Sequence, residues 1–215
     1  MPARNTVKNY IENTYYHIFN RGVEERDIYR DDKDYKVFLG FLKRYLTPTV
    51  QNEVQPRWKS NLYGEVKLSA YSLMPNHFHL LIKQMTREGM TRFIRALMNS
   101  YVRYFNQKYK RVGGLFQGIF KAVPVDNETY LLHLSRYIHL NPLALQNMTM
   151  SKLEDYYCSY GEYIGKRSTS WIYPDEILGY FGSKLIGVSS YDSYRDFVEK
   201  YQGNSADILG GLILE

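Results

Sequence analysis

The chain has 215 residues, 44% of them hydrophobic, with a formal charge of +6 and a single cysteine, Cys158. That apolar content argues against disorder, the lack of an apolar run near about 18 residues argues against a membrane span, and one cysteine permits no internal disulfide or cysteine-based zinc cluster. The polar start MPARNTVKNY predicts no signal peptide, so a cytoplasmic protein built as one globular unit with an appendage is expected. Any metal ligand must then be His, Asn, Gln or carboxylate. A basic surplus combined with 22 tyrosines suits phosphate and unstacked bases together.

TYYHIFN, residues 14–20, is β-branched and aromatic and ends at the breaker Asn20-Arg21-Gly22, which predicts a first strand. From Asp31 to about Leu46, Tyr35, Phe38, Leu39, Leu42 and Tyr45 recur at helical spacing, with Asp32 available as the cap. The aperiodic stretch TPTVQNEVQPRWKSN, residues 47–61, predicts a loop. EVKLSAYSL and NHFHLLIKQ follow as two strands of a hairpin turning at Met74-Pro75-Asn76.

Between Arg87 and Tyr109 a helix is expected, with Met90, Ile94, Leu97, Tyr101 and Phe105 on one stripe and Arg92, Arg95, Asn99 and Arg103 opposite. Those arginines either solvate the helix or track phosphates. LFQGIFKAVPV, residues 115–125, predicts a fourth strand, and Asp126-Asn127-Glu128 opens a helix running toward Pro142. The order βαββαβ is the ferredoxin-like plan, an antiparallel sheet with the first and third strands central and helices packed on it. Residues 1–148 would form this unit. Residues 149–215 would form a C-terminal extension of short helices, including SYGEYIG, WIYPDEILGYFG and SYRDFVEKY.

Side chains alternate across a strand, so His77 and His79 share one face while Phe78, Leu80 and Ile82 share the apolar other. Two imidazoles make an incomplete metal site. On the last helix His133, Tyr137 and Asn141 fall at i, i+4 and i+8, in line along one stripe. The Asn141 amide oxygen could complete a hard-ion site, His133 could serve instead, and His139 points to the other side. Pro142 disfavours helical backbone at Asn141 and threatens the alignment with Tyr137. Lys121 and Arg136 could reach phosphate, or could be ordinary surface charges.

HFH on a strand with RYIHLNP on a later helix resembles the single-tyrosine transposases of the HUH superfamily. FNRGVEERDIY, LMPNHFHLLI, GGLFQGIFKA and RYIHLNPL together resemble, more closely, the REP-associated tyrosine transposases, across roughly residues 14–145. The resemblance implies a metal-dependent single-stranded DNA endonuclease and strand-transferase with the HUH nuclease fold. Position by position it implies His77 and His79 as ligands, Tyr137 as the nucleophile that forms a 5′-phosphotyrosine, and Asn141 as the polar ligand after the tyrosine. Tyr130 is the other candidate nucleophile. Mg²⁺ or Mn²⁺ is the implied ion. Asn20 and Arg21 would border the DNA, which would be single-stranded and carry small hairpins of repetitive palindromic elements. Insertion-sequence relatives work as dimers that exchange the catalytic helix, whereas the extended subgroup is more often monomeric, so a monomer is expected. The competing readings are an RNA-recognition module, a phosphoesterase with paired His motifs, and a catalytically silent hairpin binder.

Overall fold

A computed structural model describes residues 11–48, 61–181, 193–201 and 209. Most of the loop expected over 47–61 lies outside the described residues. β1 (Thr14–Arg21) leads through a short 3-10 turn to α1 (Asp32–Leu46); β2 (Val66–Met74) and β3 (His77–Gln84) form the hairpin. α2 (Gly89–Lys108), β4 (Lys121–Val125) and α3 (Glu128–Leu140) complete the βαββαβ order. The four strands lie in the order β2-β3-β1-β4, all antiparallel, with β1 and β3 central as the ferredoxin-like plan requires.

Three local expectations are corrected. The cap of α1 is Asp31, not Asp32: Asp31 is extended and its carboxylate accepts from the Asp34 N–H, leaving Asp32 inside the first turn. β4 begins at Lys121 rather than 115, because Gly118 takes φ +67 and breaks the extended run. Upstream of it, Phe116 makes an isolated bridge to Gly22. Finally, Pro142 does not unwind Asn141, which keeps helical φ −48 and ψ −44. A 3-10 turn, Asn141–Ala144, starts there, and the first turn of a helix has no use for the N–H that proline lacks.

The sheet separates two cores. On one face the stripe Met90, Ile94, Leu97, Tyr101 and Phe105 of α2 joins Phe38 and Leu42 of α1 over Ile18, Phe78, Leu80 and Ile82, all fully buried. Burial of each such side chain stabilises by about 1.5–3 kcal/mol. The other face, carrying Tyr15, Ala70 and Leu81, packs beneath Leu131, Leu134 and Ile138 of α3. That second core also takes side chains from α4 (Met150–Leu153), α5 (Tyr160–Tyr163), α6 (Asp175–Leu178) and α7 (Tyr194–Glu199). The C-terminal segments therefore pack against α3, where Tyr194 bonds His139, and also tie back to the sheet. Glu176, for example, accepts from the Tyr15 hydroxyl at 2.8 Å and the Lys83 ammonium at 2.5 Å. Among the described residues no helix is long and apolar enough to cross a membrane.

Candidate active site

Strand pairing sets the site. β1 aligns Phe19 with His79 and Arg21 with His77, while β4 aligns Lys121 with Phe19. Lys121, Phe19 and His79 thus form one row across the sheet, on the face that α3 covers. His77 and His79 are co-facial as the alternation predicts, with ring centroids 5.0 Å apart and planes at 89°.

α3 begins where the Asn127 side chain accepts from the Tyr130 N–H, and it runs three turns to Asn141. This directs Tyr137 at the histidines: its ring stands edge-on to His79, centroids 5.6 Å apart at 84°. One turn on, the Asn141 amide nitrogen donates to the Tyr137 carbonyl at 3.0 Å, and the Asn141 side chain lies close enough to His77 to act on its pKa. His77, His79, Tyr137 and Asn141 are therefore assembled within a single chain.

Both imidazoles are engaged at Nδ1. His77 Nδ1 lies 2.6 Å from Asn76 Oδ1, and the Asn76 amide nitrogen in turn donates to the Glu25 carbonyl. Because an amide oxygen only accepts, His77 Nδ1 carries the proton and Nε2 holds the lone pair. His79 Nδ1 lies 2.9 Å from Nε2 of His17, a residue the sequence pattern did not single out. His79 is wholly buried, and its Nε2 has no hydrogen-bond partner. A buried polar nitrogen without a partner costs stability unless a ligand occupies it. Burial lowers the pKa of His77 to about 4, with the Asn141 side chain working upward against it and the Arg21 charge lowering it further. Burial, followed by the neighbouring His17 and His77, holds His79 well below the ordinary histidine value. Both rings are thus neutral at pH 7, the state in which an imidazole ligates metal.

The donor set of two neutral imidazole nitrogens and one amide, one nitrogen buried and unpartnered, fits a divalent cation. Its third donor is an amide rather than a His, Cys or carboxylate; among the described residues no group of three His, Cys, Asp or Glu is placed to hold a metal.

The other expected site residues divide by location. Lys121 stays beside the site, its ammonium 5.7 Å from the Phe19 ring centroid. Arg21 lies next to His77 and is partly exposed, bonded to Gln117 Oε1 at 2.6 Å and to Glu25 at 2.9 Å. Asn20 points to the opposite face and is buried, bonding the Arg21 N–H and the Gly118 carbonyl, so it shapes the turn rather than meeting DNA. Arg136 is corrected outright. It is fully buried, with its guanidinium over the rings of Phe197 and Tyr201 and 2.5 Å from His133 Nδ1. The same cluster takes His133 away from the metal candidates. Arg92, Arg95 and Arg103 are exposed, but α2 packs on the face of the sheet opposite α3. They belong to a different surface from Tyr137, and Arg92 is paired there with Glu65 at 2.7 Å. Tyr130 is exposed in the first turn of α3, two turns before Tyr137. His139 points away as expected, bonded to the Tyr194 and Ser159 hydroxyls.

Comparison with known proteins supplies the family. Residues 12–141 match the IS200-like transposases. No curated protein sequence matches the chain. Among solved structures, a REP-associated tyrosine transposase bound to a REP hairpin superposes with a TM-score of 0.50 at 12% identity, covering 78% of this chain and 95% of that one. A candidate transposase from Deinococcus radiodurans R1 gives a TM-score of 0.40 at 17% identity, covering 62% and 94%. At such identities the first likeness speaks for the fold, while the family match spans more than half of the sequence and ends on Asn141 itself. The chain therefore belongs to the IS200-like transposase family.

Proposed function

We propose that this transposase cuts and rejoins single-stranded DNA beside small hairpins, with Tyr137 as nucleophile and His77, His79 and Asn141 as the holders of Mg²⁺ or Mn²⁺. The observation that carries the reading is the buried, unpartnered Nε2 of His79 in edge-to-face contact with Tyr137. A phenol with a pKa near 10 is a poor nucleophile at neutral pH. A divalent ion held by these residues would supply Lewis acidity toward the scissile phosphate. Everything else falls to the chain. The β3 histidines and Asn141 fix the cation site, and α3 presents the Tyr137 ring against it. The phenol oxygen bonds phosphorus and releases its proton to solvent as the bond to the 3′ oxygen breaks, and that oxygen takes up one proton from solvent and leaves as a 3′-hydroxyl. A 5′-phosphotyrosine remains, conserving the phosphodiester so that a different 3′-hydroxyl can reverse the step without ATP.

Lys121, in the same row as His79, and Arg21, beside His77, are the cations placed to meet the backbone. Since β1, β3, β4 and α3 with its C-cap, all of one chain, supply every named group, a monomer suffices, and the described helices after residue 149 serve as an extension that holds α3 in place. The hairpin substrate is carried over from the fold neighbour solved with a REP hairpin. Action on DNA in the cytoplasm belongs to the same reading. Labelled single-stranded hairpin oligonucleotides incubated with the protein and Mn²⁺ should yield a shortened product with a free 3′-hydroxyl. Binding without cleavage across hairpin and linear substrates would instead support the silent binder.

A further inference from the structure

We propose that His17 is a positioning residue of the cation site: it accepts a hydrogen bond from His79 Nδ1 and so fixes the His79 ring beside Tyr137 with the lone pair of Nε2 left for the ion. The inference rests on the proposed cation site and deepens it. Both rings are fully buried, so water does not compete for the 2.9 Å contact between His17 Nε2 and His79 Nδ1. The rings lie nearly parallel at 19°, centroids 5.1 Å apart, and Tyr137 stands edge-on to both, at 81° to His17 and 84° to His79.

One proton must lie between the two nitrogens, and its position decides what His79 can do. If His17 donated it, His79 would carry its own proton on Nε2. That would leave an N–H buried without an acceptor and no lone pair for a ligand. If His79 donates it, Nε2 is a bare lone pair. His77 has this second arrangement, since Asn76 Oδ1 can only accept. The two ligands would then share one design: Nδ1–H held by a neighbour from an adjacent element, Nε2 presented to the ion. Such outer partners typically change metal affinity by about 10–100-fold.

The test uses the full-length protein and Mn²⁺ alone, with binding followed by electron paramagnetic resonance of the free ion. His17→Phe should weaken Mn²⁺ by about 10–100-fold, and His17→Gln, whose amide oxygen can accept, should recover most of that loss. Circular dichroism melts confirm that each variant is folded at the temperature of titration. Independently, long-range ¹H–¹⁵N spectra of the metal-free parent should show His79 protonated at Nδ1 with a bare Nε2. The proposal is overturned if His17→Phe binds Mn²⁺ as tightly as the parent, if His17→Gln gives no recovery, or if His79 is protonated at Nε2. His79→Gln separates the two levels. If it also leaves Mn²⁺ affinity unchanged, the cation site itself is misplaced; if it abolishes binding while His17→Phe does not, only the role of His17 fails.

Discussion

Tyr137 stands edge-on to His79 across the gap between α3 and the sheet, ring centroids 5.6 Å apart, in one and the same chain. The hydroxyl is therefore separable from the cation holders. Tyr137→Phe keeps the ring and its packing, so cleavage of single-stranded DNA should fall by at least about 10³-fold. Mn²⁺ affinity and oligonucleotide binding should stay within about twofold. A cleavage assay beside a metal titration on the same preparation checks both halves.

Arg136 and Lys121 should part company under mutation. Arg136→Ala removes a buried guanidinium from two aromatic rings and from His133, and should cost about 2 kcal/mol or more in urea unfolding. Its effect on DNA affinity should be small wherever the protein is folded. Lys121→Ala should change stability by less than about 0.5 kcal/mol, yet weaken binding uniformly across sequences. The slope of log affinity against log salt should shrink by about 0.7, the share of one phosphate contact on single strands.

Acid should unfold the protein in a window set by its histidines. Burial, then the Arg167 charge, holds His139 at about 3, and burial, then Arg136, holds His133 at about 4, against an ordinary value of 6.5. Between pH 6.5 and about 4 the unfolded chain thus binds protons that the folded chain refuses. Stability is full above pH 6.5 and declines as pH falls through that window. Asp34 and Glu176, both held below their ordinary carboxylate values of 3.8 and 4.5, contribute stability that is lost as pH falls below those values, adding to the lower end of the decline. Urea midpoints measured from pH 7.5 to 4.5 should decline, and His139→Gln, which cannot gain a proton, should flatten the decline.

Gly22 closes the turn that seats Arg21 beside His77. A Cβ there would lie 2.1 Å from the Arg26 carbonyl, too close for any side chain, while the Gly22 N–H donates to the Asn76 carbonyl. Gly22→Ala should destabilise by about 1–3 kcal/mol, and the displaced Asn76 should loosen its hold on His77. Thermal melts with and without Mn²⁺ check this: the stabilisation by the ion should be smaller in the variant than in the parent.

What was legible in the sequence was what repeats locally. The 3.6-residue stripe of α2 and the alternation of HFHLLI decided which side chains share a face, because each follows from one element's own geometry. The pairing of Tyr137 with Asn141 was equally legible as an i, i+4 relation, and it survives Pro142 because that residue opens a 3-10 turn. What was not legible depends on elements far apart in sequence. His17 meets His79 across 62 positions through strand register, and Arg136 meets Phe197 across 61 through packing of the C-terminal segments. An arginine stranded among apolar helix positions looks like a surface charge until the covering helix is known. The exposure of the α2 arginines follows from the helix's own stripe, but which face of the sheet α2 covers is a tertiary fact. β4 was overextended because its aromatic residues satisfy strand preference while the left-handed turn at Gly118 does not.

In the proposed reaction Tyr137 is the residue that becomes covalently joined to DNA. The direct measurement is to trap the adduct formed with a single-stranded hairpin oligonucleotide and Mn²⁺, digest it, and locate the modified tyrosine by mass spectrometry. A nucleotide phosphate is expected on the peptide carrying Tyr137, absent from Tyr137→Phe and retained in Tyr130→Phe. An adduct that persists in Tyr137→Phe, or that maps to Tyr130, would contradict this role for Tyr137.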